Sequence, residues 1–382
     1  MKITIILPSL SSGGAERVMV LLSEGFLEKG HKITLITIAG KERDFYKLPT
    51  GVVRIALDIA GDSSNILEAI KNNFKRVLIL RKAIKSTNPD IVISSLVSTN
   101  ILTVLSLLES DIPILINEQN YTTKISKKKN WYKLRNFIYQ YSDRLVSSSI
   151  GVDNTFKWLN SKKRVVSYNP LSRISEDDLT EKIDLDEDKI SPRSNWITSM
   201  GRLTEQKGFD ILIKAFYRIS SNNPDWQLII IGEGHLRSDL LELVNQYNLT
   251  EKVFLIGRLD NPFPIVKKSK FFVMASRFEG FGMVHAEALA CGIPVISTDC
   301  PAGPNEVIRH DIDGILVENK NELELANAMD KLISNPSERQ RLACNSHEVK
   351  NRFSLEKTVD KWENLIENLN INSNQKNTSS FN

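Results

Sequence analysis

The sequence predicts an α/β protein built from two Rossmann-like domains, each with a doubly wound parallel sheet. At 382 residues, the chain is longer than a single hydrophobic core usually grows, so two domains are expected. Short apolar runs rich in β-branched residues alternate with amphipathic stretches, and this alternation is typical of β-α-β units. The alternation stops near residue 170 and begins again near residue 195, which indicates two separate sheets.

The first domain is predicted to span residues 1–170. It begins with the strand Ile3–Leu7, a helix from about Ala15 to Lys29, and the strand Ile33–Ile38. The opening segment lacks a basic n-region and a small-residue cleavage site, so we interpret it as a strand and not as a signal peptide. Further strands are expected in four short apolar segments, Ile91–Ser94, Pro113–Asn117, Arg144–Ser148 and Val165–Ser167.

The second half of the chain is predicted to contain a linker, a second domain and a terminal helix. Residues 171–194 are rich in acidic side chains and have little to bury, so they are expected to form a linker or surface loop. The second domain is predicted at 195–352. A helix at 353–370 is expected to return toward the first domain, and the polar residues 371–382 are predicted to be a disordered tail.

The composition excludes several classes of protein. The three cysteines form no C-x-x-C pair, which argues against a disulfide framework and a zinc site and favours a reducing, cytoplasmic location. No apolar run approaches the roughly 18 residues that would span a bilayer. The net charge is only +4 and no recognition motif accompanies the basic residues, so nucleic acid is not an expected partner.

Two basic segments of the first domain predict contact with a membrane. Ile66–Lys85 has the spacing of a basic amphipathic helix, and Tyr121–Arg144 combines Lys127, Lys128 and Lys129 with interleaved aromatic residues. Cationic side chains with aromatic residues favour an anionic lipid surface. The alternative is a solvated helix face beside an aromatic core. We therefore expect a peripheral protein on the inner face of the cytoplasmic membrane.

Two glycine-containing loops follow the first strands of the two domains, where open α/β sheets bind ligands. In the first loop, Gly13 and Gly14 precede a helix whose N-terminal amides could bind an anion. A plain tight turn is the alternative. In the second loop, Arg202 and Lys207 could contact one diphosphate, arginine through a forked contact and lysine as a point charge. The alternative is a surface loop with solvated cations.

The segment 275–292 carries two carboxylates eight positions apart. Glu279 is expected in a strand-to-helix loop. Glu287 is expected inside a helix of small and apolar residues, where a charge needs strong partners such as the two hydroxyls of a ribose. Gly280 and Gly282 would expose backbone amides at the start of this helix. A half-exposed helical glutamate after a glycine-rich turn is the alternative, and we interpret His285 as a packing or locally hydrogen-bonded residue.

These motifs together resemble glycosyltransferase family 4, the retaining GT-B enzymes that build bacterial polysaccharides and glycolipids. The resemblance covers roughly residues 1–365. Its motifs are Gly-Gly-Ala-Glu-Arg at 13–17, Gly-Arg-Leu at 201–203, Gln-Lys-Gly at 206–208, Gly-Glu-Gly at 232–234, Gly-Arg at 257–258 and the Glu pair at 279 and 287. It implies two domains that face each other across a cleft. It also implies transfer of a hexose or N-acetylhexosamine from a nucleotide sugar, preferably UDP-linked, to a lipid-linked bacterial cell-envelope glycan.

The resemblance also implies roles for individual residues. The Gly14 amide, Arg202 and Lys207 would bind the diphosphate, Glu279 would hold the transferred sugar, and Glu287 would bind the ribose. Because these cations and the helix N-termini would neutralise the diphosphate, no metal and no cofactor are expected. Further contacts with the nucleotide sugar would come from Gly13, Gly232, Glu233, Gly234, Arg258, Gly280, Phe281 and Gly282.

The chain departs from the family pattern in the first domain. Many members carry a histidine that faces the transferred sugar where this sequence has Gln119. The resemblance therefore implies that Glu118, Gln119 and Asn120 lie on the acceptor and sugar side of the site. Glutamine can hydrogen-bond a sugar hydroxyl but cannot accept its proton. Same-face attack, in which the departing phosphate accepts the proton, needs no such base, so the chain is predicted to be active. A catalytically weak nucleotide-sugar-binding subunit and a nucleotide-sugar epimerase of similar two-lobed fold are the alternatives.

Two Asp-x-Asp patterns could suggest a metal-dependent transferase. One is Asp184-Leu185-Asp186 in the acidic segment, and the other is Asp311-Ile312-Asp313 before a glycine. Neither follows a predicted strand in a way that would direct both carboxylates at a diphosphate. We therefore expect neither pair to bind a metal.

Overall fold

The computed structural model of the chain describes residues 1–61, 65–121, 129–182, 190 and 194–379, without the side chains of 66–67, 69, 129–132 and 370–379. The chain divides into two compact units. The first contains residues Met1–Pro170 together with Ser354–Asn382, and the second contains Leu171–Phe353. Each unit is built on its own parallel sheet, as the sequence predicts.

The core of the first unit is a seven-stranded parallel sheet. Its strands are β1 (Lys2–Leu7), β2 (Lys32–Thr37), β3 (Val53–Ala56), β4 (Ile91–Ser95), β5 (Ile114–Glu118), β6 (Arg144–Ser147) and β7 (Arg164–Val166). They lie in the order β3-β2-β1-β4-β5-β6-β7. Consecutive residues such as Ile5 and Ile6 point to opposite faces, and both are fully buried. Both faces of this sheet are therefore covered by other elements.

Helices connect these strands. They are α1 (Gly14–Glu28), α2 (Ile66–Thr87), α3 (Val97–Ser106), α4 (Lys129–Tyr139) and α5 (Ile150–Asp153). The helix predicted from the basic segment Ile66–Lys85 is confirmed as α2. It begins where the Asn65 side chain accepts a hydrogen bond from the Glu68 amide at 2.9 Å, and it ends at Asn88 in the left-handed conformation.

The second unit contains a six-stranded parallel sheet. Its strands are β8 (Asn195–Met200), β9 (Trp226–Ile231), β10 (Val253–Gly257), β11 (Phe271–Met274), β12 (Val295–Asp299) and β13 (Gly314–Glu318). They lie in the order β10-β9-β8-β11-β12-β13. The helices are α6 (Glu176–Thr180), α7 (Phe209–Ser220), α8 (Arg237–Gln246), α9 (Phe263–Lys268), α10 (Met283–Ala290), α11 (Pro304–Val307), α12 (Glu322–Ser334), α13 (Pro336–Ser346) and α14 (Val349–Arg352).

Part of the acidic segment 171–194 belongs to the second unit. Its short helix α6 begins with a capping box between Ser175 and Asp178. The Asn261 side chain donates a hydrogen bond of 2.8 Å to the Asp178 carbonyl and one of 2.6 Å to Glu181, and Leu179 is buried. These contacts hold α6 against the loop that precedes α9. Residues 183–189 and 191–193 lie outside the described part of the chain.

The last helix, α15 (Leu355–Ser379), packs against α1 in the first unit. The contact is close at Gly25, where an added Cβ would collide with Val359. Lys29 pairs with Asp360 at 2.6 Å at the edge of this contact, and Trp362 is buried beneath it. The backbone of this helix continues through residues 371–379 of the predicted tail, whereas the side chains beyond Leu369 and the residues 380–382 are outside the description. Disorder at 380–382 therefore stays a prediction.

Within the ranges described above, no helix combines the length and the apolar character that crossing a bilayer requires.

Candidate active site

The second sheet has a topological switch point between β8 and β11. Strands β9 and β10 continue the sheet on one side of this point, and β12 and β13 continue it on the other. Open α/β sheets bind ligands beyond the carboxyl ends of the strands at such a position. The loop 201–208 follows β8 and the loop 275–282 follows β11. The predicted residues Arg202, Lys207 and Glu279 all lie on these two loops.

Backbone and side-chain hydrogen bonds join the two loops. The Arg277 amide donates to the Gln206 carbonyl at 2.7 Å, and the Gln206 side chain donates to the Phe278 carbonyl at 3.0 Å. Gly208 has a φ of +66°, and a Cβ at this position would collide with the Ala275 carbonyl oxygen. Glycine is therefore required where the loops come into contact.

A buried ion pair connects the two loops at the switch point. The Lys207 Nζ lies 2.7 Å from the Glu279 Oε1, and the two side chains are 12% and 5% exposed. The Ser276 hydroxyl donates to the same oxygen at 2.6 Å. Burial by itself raises the pKa of Glu279, but the Lys207 ammonium and these hydrogen bonds outweigh it, so the pKa is lowered. The carboxylate is therefore ionised at neutral pH.

His285 lies fully buried beside this pair. Its Nδ1 is 3.0 Å from the Gly282 carbonyl oxygen and its Nε2 is 3.0 Å from the Ser297 hydroxyl. Burial, together with the nearby Lys207 ammonium, lowers the pKa of His285 to about 4. The imidazole is thus neutral and locally hydrogen-bonded, which matches its interpretation from the sequence.

A second ion pair supports the site and was not predicted from the sequence. The Arg277 guanidinium donates to both carboxylate oxygens of Asp210, at 2.8 and 2.6 Å. It also donates to the Glu205 carbonyl at 2.8 Å. Burial raises the pKa of Asp210, but the guanidinium outweighs this effect and the pKa is lowered. The pair joins the start of α7 to the loop after β11, and no local pattern marks two residues so distant in sequence.

The residues predicted to contact the nucleotide sugar from the loop after β9 lie against the loop after β8. Gly232 has a φ of +145°, and a Cβ there would collide with the Gly201 carbonyl oxygen. The Gly232 amide donates to the Gly257 carbonyl at 2.7 Å, next to Arg258. Glu233 is half-exposed and pairs with Arg237 at 3.2 Å. The loops after β8, β9 and β10 therefore converge at one edge of the sheet, and Gly234 also lies there, against the Leu203 backbone.

The start of α10 contains the remaining predicted residues. Gly282 caps the helix with a φ of +86°, and Gly280 precedes it in the same buried loop. The Phe281 side chain is buried against Phe353, with ring centroids 5.0 Å apart, so its backbone is the part that could face a ligand. Glu287 is 1% exposed within α10. The helices α7 and α10 thus both have their N-termini at the switch point.

In the first unit, the two glycines after β1 differ in their surroundings. A Cβ on Gly13 would collide with the Glu16 carboxylate, whereas a Cβ on Gly14 would have no neighbour within 4 Å. The Ser11 hydroxyl also donates to Glu16, at 3.5 Å. An anion at the Gly14 amide would therefore lie near a carboxylate already present in the first turn of α1.

The residues predicted on the acceptor side differ in their accessibility. Glu118 is fully buried, accepts a hydrogen bond from the Tyr139 hydroxyl, and accepts another from Asn100 at 3.0 Å. Burial raises the pKa of Glu118 to about 7. Gln119 is 7% exposed and its neighbour Asn120 is half-buried. Glu118 therefore lies in the core, where no sugar could reach it without a rearrangement.

Both ends of the Gln119 amide are hydrogen-bonded. Its Nε2 donates to the Asn117 Oδ1 at 2.7 Å, and its Oε1 accepts from the Asn169 Nδ2 at 2.7 Å. These bonds fix the orientation of the amide group. A sugar hydroxyl at this position would have to share or replace one of them.

The described Asp-x-Asp pair lies in a turn before β13. Asp313 is fully buried and accepts hydrogen bonds from the Arg309 amide at 2.8 Å and the Arg309 Nε at 2.7 Å. Asp311 is exposed and pairs with His310 at 3.3 Å. Asp184 and Asp186 lie outside the described residues. In the part that the structure describes, no three His, Cys, Asp or Glu side chains are grouped to hold a metal ion.

Comparison with protein families matches both halves of the chain. The model described as Glycosyltransferase Family 4 matches residues 12–170. The model described as Glycosyl transferases group 1 matches residues 181–349. The two matches correspond to the two compact units.

Relatives of known name match most of the chain. A Campylobacter jejuni N-acetylgalactosamine-N,N'-diacetylbacillosaminyl-diphospho-undecaprenol 4-alpha-N-acetylgalactosaminyltransferase is 31% identical over 334 residues, which cover 84% of this chain and 87% of that protein. A second protein of this organism, named GalNAc-alpha-(1->4)-GalNAc-alpha-(1->3)-diNAcBac-PP-undecaprenol alpha-1,4-N-acetyl-D-galactosaminyltransferase, is 28% identical over 368 residues, covering 96% and 98%. The crystal structure of Anabaena HepE with UDP and glucose has a TM-score of 0.79 at 16% identity and covers 96% and 100%, which shows similarity of fold.

Proposed function

Because the chain belongs to glycosyltransferase family 4 of the GT-B enzymes, we propose that it transfers a hexose or N-acetylhexosamine from a UDP-linked sugar to a lipid-linked saccharide of the bacterial cell envelope. The transfer retains the configuration at the anomeric carbon and requires no metal. The names of the two Campylobacter relatives, both N-acetylgalactosaminyltransferases acting on undecaprenyl-diphosphate-linked glycans, favour this acceptor class. The UDP bound to the similar HepE fold favours UDP as the nucleotide.

The observation that carries the proposal is the Lys207–Glu279 pair at the switch point of the second sheet. Its ammonium and carboxylate lie 2.7 Å apart, so one position offers a cation for a phosphate and an acceptor for sugar hydroxyls. Arg202 on the same loop is exposed, and its side chain has no ion-pair partner among the described residues. It is therefore available for a second phosphate contact.

The proposed reaction needs no protein base. The acceptor hydroxyl oxygen forms a bond to the anomeric carbon on the face that the diphosphate leaves, and the bond from that carbon to the phosphate oxygen breaks. The hydroxyl proton passes to the departing phosphate oxygen. Lys207, Arg202 and the N-termini of α7 and α10 would stabilise the charge that develops on this oxygen. Gln119, whose amide cannot accept a proton, would orient the acceptor.

We also propose that α2 docks the protein on an anionic membrane surface. Three apolar side chains of this helix are strongly exposed, Ile70 at 63%, Phe74 at 65% and Leu78 at 49%. The exposed Lys71 and Lys75 lie beside them, which is the arrangement of an interfacial helix.

The second basic segment, Tyr121–Arg144, is described only in part. Lys127, Lys128 and the Lys129 side chain lie outside the described residues, and Phe137 and Tyr141 are exposed on α4 and just beyond it. The cytoplasmic face is the proposed location because the three cysteines, which form no C-x-x-C pair, favour a reducing compartment.

A nucleotide-sugar panel tests the function. UDP and GDP sugars are first compared for protection against thermal unfolding, since a ligand at about 100 times its Kd stabilises by about 2.7 kcal/mol. The protective donor is then incubated with lipid-linked saccharides, and NMR of the product assigns the anomeric configuration. Protection by a UDP sugar and a retained product are expected. Binding without product would favour the partner-subunit alternative, and conversion of the sugar without acceptor would favour the epimerase.

A further inference from the structure

The first unit contains a cavity of about 370 Å³ at its own topological switch point. The order of the sheet reverses between β1 and β4. Pro8 and Ser9, which follow β1, line one side of the cavity, and Ser98 and Thr99, near the start of α3 after β4, line another. This is the position at which open α/β sheets bind ligands. The volume lies in the range of about 300–1,000 Å³ that is typical of small-molecule pockets.

The walls of the cavity are mainly apolar. They include Ile38 and Ala39, which follow β2, together with Leu102 and Leu105 of α3 and Leu134 of α4. A saccharide needs many hydrogen-bond partners, and these walls offer few. An apolar chain fits this lining better because its burial is favourable by about 25 cal/mol for each Å² removed from water.

The charge at the edge of the cavity is positive. Arg43 and Arg76 line it, and no aspartate or glutamate is among its described lining residues. Arg76 donates to the Ile59 carbonyl at 2.9 Å and also to the Gly61 carbonyl, so it fixes one wall. Arg43 is 64% exposed and lies 3.9 Å from the nearest oxygen of Glu42. An apolar interior beside two guanidinium groups complements a molecule with an apolar chain and an anionic head.

The helix that forms one wall also carries the exposed apolar stripe. Asn73 and Arg76 of α2 line the cavity, and Phe74 is displaced from Asn73 by about 100° around the helix axis. Ile70, Phe74 and Leu78 are spaced four residues apart and so lie along one face. A lipid chain buried in the cavity would therefore lie next to a surface that is suited to the membrane interface.

We propose that this cavity binds the first isoprenoid units of a polyisoprenyl-diphosphate-linked acceptor, with Arg43 against the diphosphate. The proposal rests on the proposed function, because it assigns the lipid part of that acceptor to a specific place. A lipid-linked acceptor would fill the cavity, whereas a soluble glycan has no apolar chain to place in it.

Direct binding of farnesyl diphosphate tests the cavity without turnover. Calorimetry with saturating UDP present keeps the diphosphate loops of the second unit occupied. Leu102→Trp fills the cavity, and Leu108→Trp is the matched control, because Leu108 is 49% exposed and is not a lining residue. The wild type and the control should bind equally, whereas Leu102→Trp should bind at least about tenfold more weakly. Arg43→Glu, at an exposed position, should also weaken binding and does not depend on repacking the core.

Kinetics separate this proposal from the proposed function. Leu102→Trp should raise the KM for a polyprenyl-diphosphate-linked acceptor about tenfold, and leave kcat and the KM for the same saccharide diphosphate without its lipid unchanged. Equal farnesyl diphosphate binding by the wild type and both Leu102→Trp and Arg43→Glu would overturn the cavity proposal, even if sugar transfer occurs. Cavity-dependent binding without any transfer would leave the lipid site in place and overturn the function.

Discussion

Glu279 in the second unit and Glu118 in the first are both buried near the carboxyl ends of parallel strands, but the two carboxylates have opposite electrostatics. Glu279 in the second unit meets an ammonium at 2.7 Å, and its pKa is lowered although burial opposes this. Glu118 in the first unit meets a hydroxyl and an amide. Burial raises its pKa to about 7, and Arg135 opposes this only in part. Comparable burial thus gives an ion in one unit and, in the other, a carboxyl group that is about half protonated at neutral pH.

This difference extends to the ligands that each edge could bind. The switch point of the second sheet has Lys207 and Glu279 within contact, with Arg202 exposed on the same loop. The switch point of the first sheet has a mainly apolar cavity with cations only at its edge. Both sheets have a switch point at the carboxyl ends of their strands. The side chains of the loops at that point determine whether it suits a charged nucleotide sugar or a lipid-linked acceptor.

The largest expected effect is on turnover through the second unit. Lys207→Ala and Glu279→Ala should each reduce kcat about 10²–10³-fold, because each would remove a proposed contact to the reacting part of the nucleotide sugar. Lys270→Ala, at an exposed position of the same unit, should leave the rate unchanged. Initial rates and melting curves are measured together. A near-normal rate in either alanine variant would show that the substituted residue does not act on the reacting sugar. The proposed difference between the ligands of the two units would then lose its main support.

The second prediction concerns stability and pH in the first unit. The pKa of Glu118 is about 7 in the folded protein against 4.5 for the free side chain. Its contribution to stability is therefore complete below pH 4.5 and is lost as the pH rises through 7. Relative to Glu118→Gln, the wild type should lose about 2–3 kcal/mol of unfolding free energy between pH 5 and 8.

Glu279 should show the opposite sign. Because its folded pKa is lowered, its contribution is present above pH 4.5 and is lost as the pH falls through the folded pKa. Urea unfolding of the wild type, Glu118→Gln and Glu279→Gln at several pH values measures both effects. Equal pH dependence in all three proteins would show that the two carboxylates do not differ as described.

A smaller effect is expected at the membrane. Each lysine near an anionic surface contributes about 1 kcal/mol, so Lys71→Glu with Lys75→Glu should weaken binding to anionic liposomes by roughly tenfold or more. Lys267→Glu with Lys270→Glu makes the same charge change in the second unit and should have little effect. Co-sedimentation at several salt concentrations provides the measurement. Equal binding by the two double variants would show that α2 does not dock the protein.

The sequence was sufficient for the features that depend on local pattern and chain order. Alternating strands and helices predicted both sheets, and they placed Lys207 and Glu279 each in a loop between a strand and a helix. The ion pair between these two residues was not predicted. Features that depend on packing between distant segments could not be predicted. The Arg277–Asp210 pair joins residues 67 positions apart, and the cavity requires residues from several elements.

For the segment Glu118-Gln119-Asn120, the family resemblance did not distinguish residues that point into the core from residues that point toward the surface. All three residues were expected near the sugar because they stand where many family members carry a histidine that faces it. Successive side chains of an extended chain point to opposite sides, and Glu118 is still the last residue of β5. Its side chain points into the core toward Tyr139, so only its neighbours are near enough to the surface to act on a ligand.

The smallest expected effect is that of removing metal ions. Activity should stay within about twofold in excess EDTA, because in the proposed reaction Lys207, Arg202 and the N-termini of α7 and α10 would supply the positive potential that a metal ion could otherwise provide. Enzyme freed of metal ions is assayed with and without added Mg²⁺ or Mn²⁺. The variant Asp311→Asn is assayed in the same way, to check that this exposed aspartate does not bind a metal needed for activity. If EDTA abolished activity and manganese restored it, the side chains of the second unit would not be sufficient to neutralise the diphosphate. Neutralising the diphosphate at the switch point of the second sheet would then require a metal ion as well. Asp184 and Asp186 would become the first candidates to bind it.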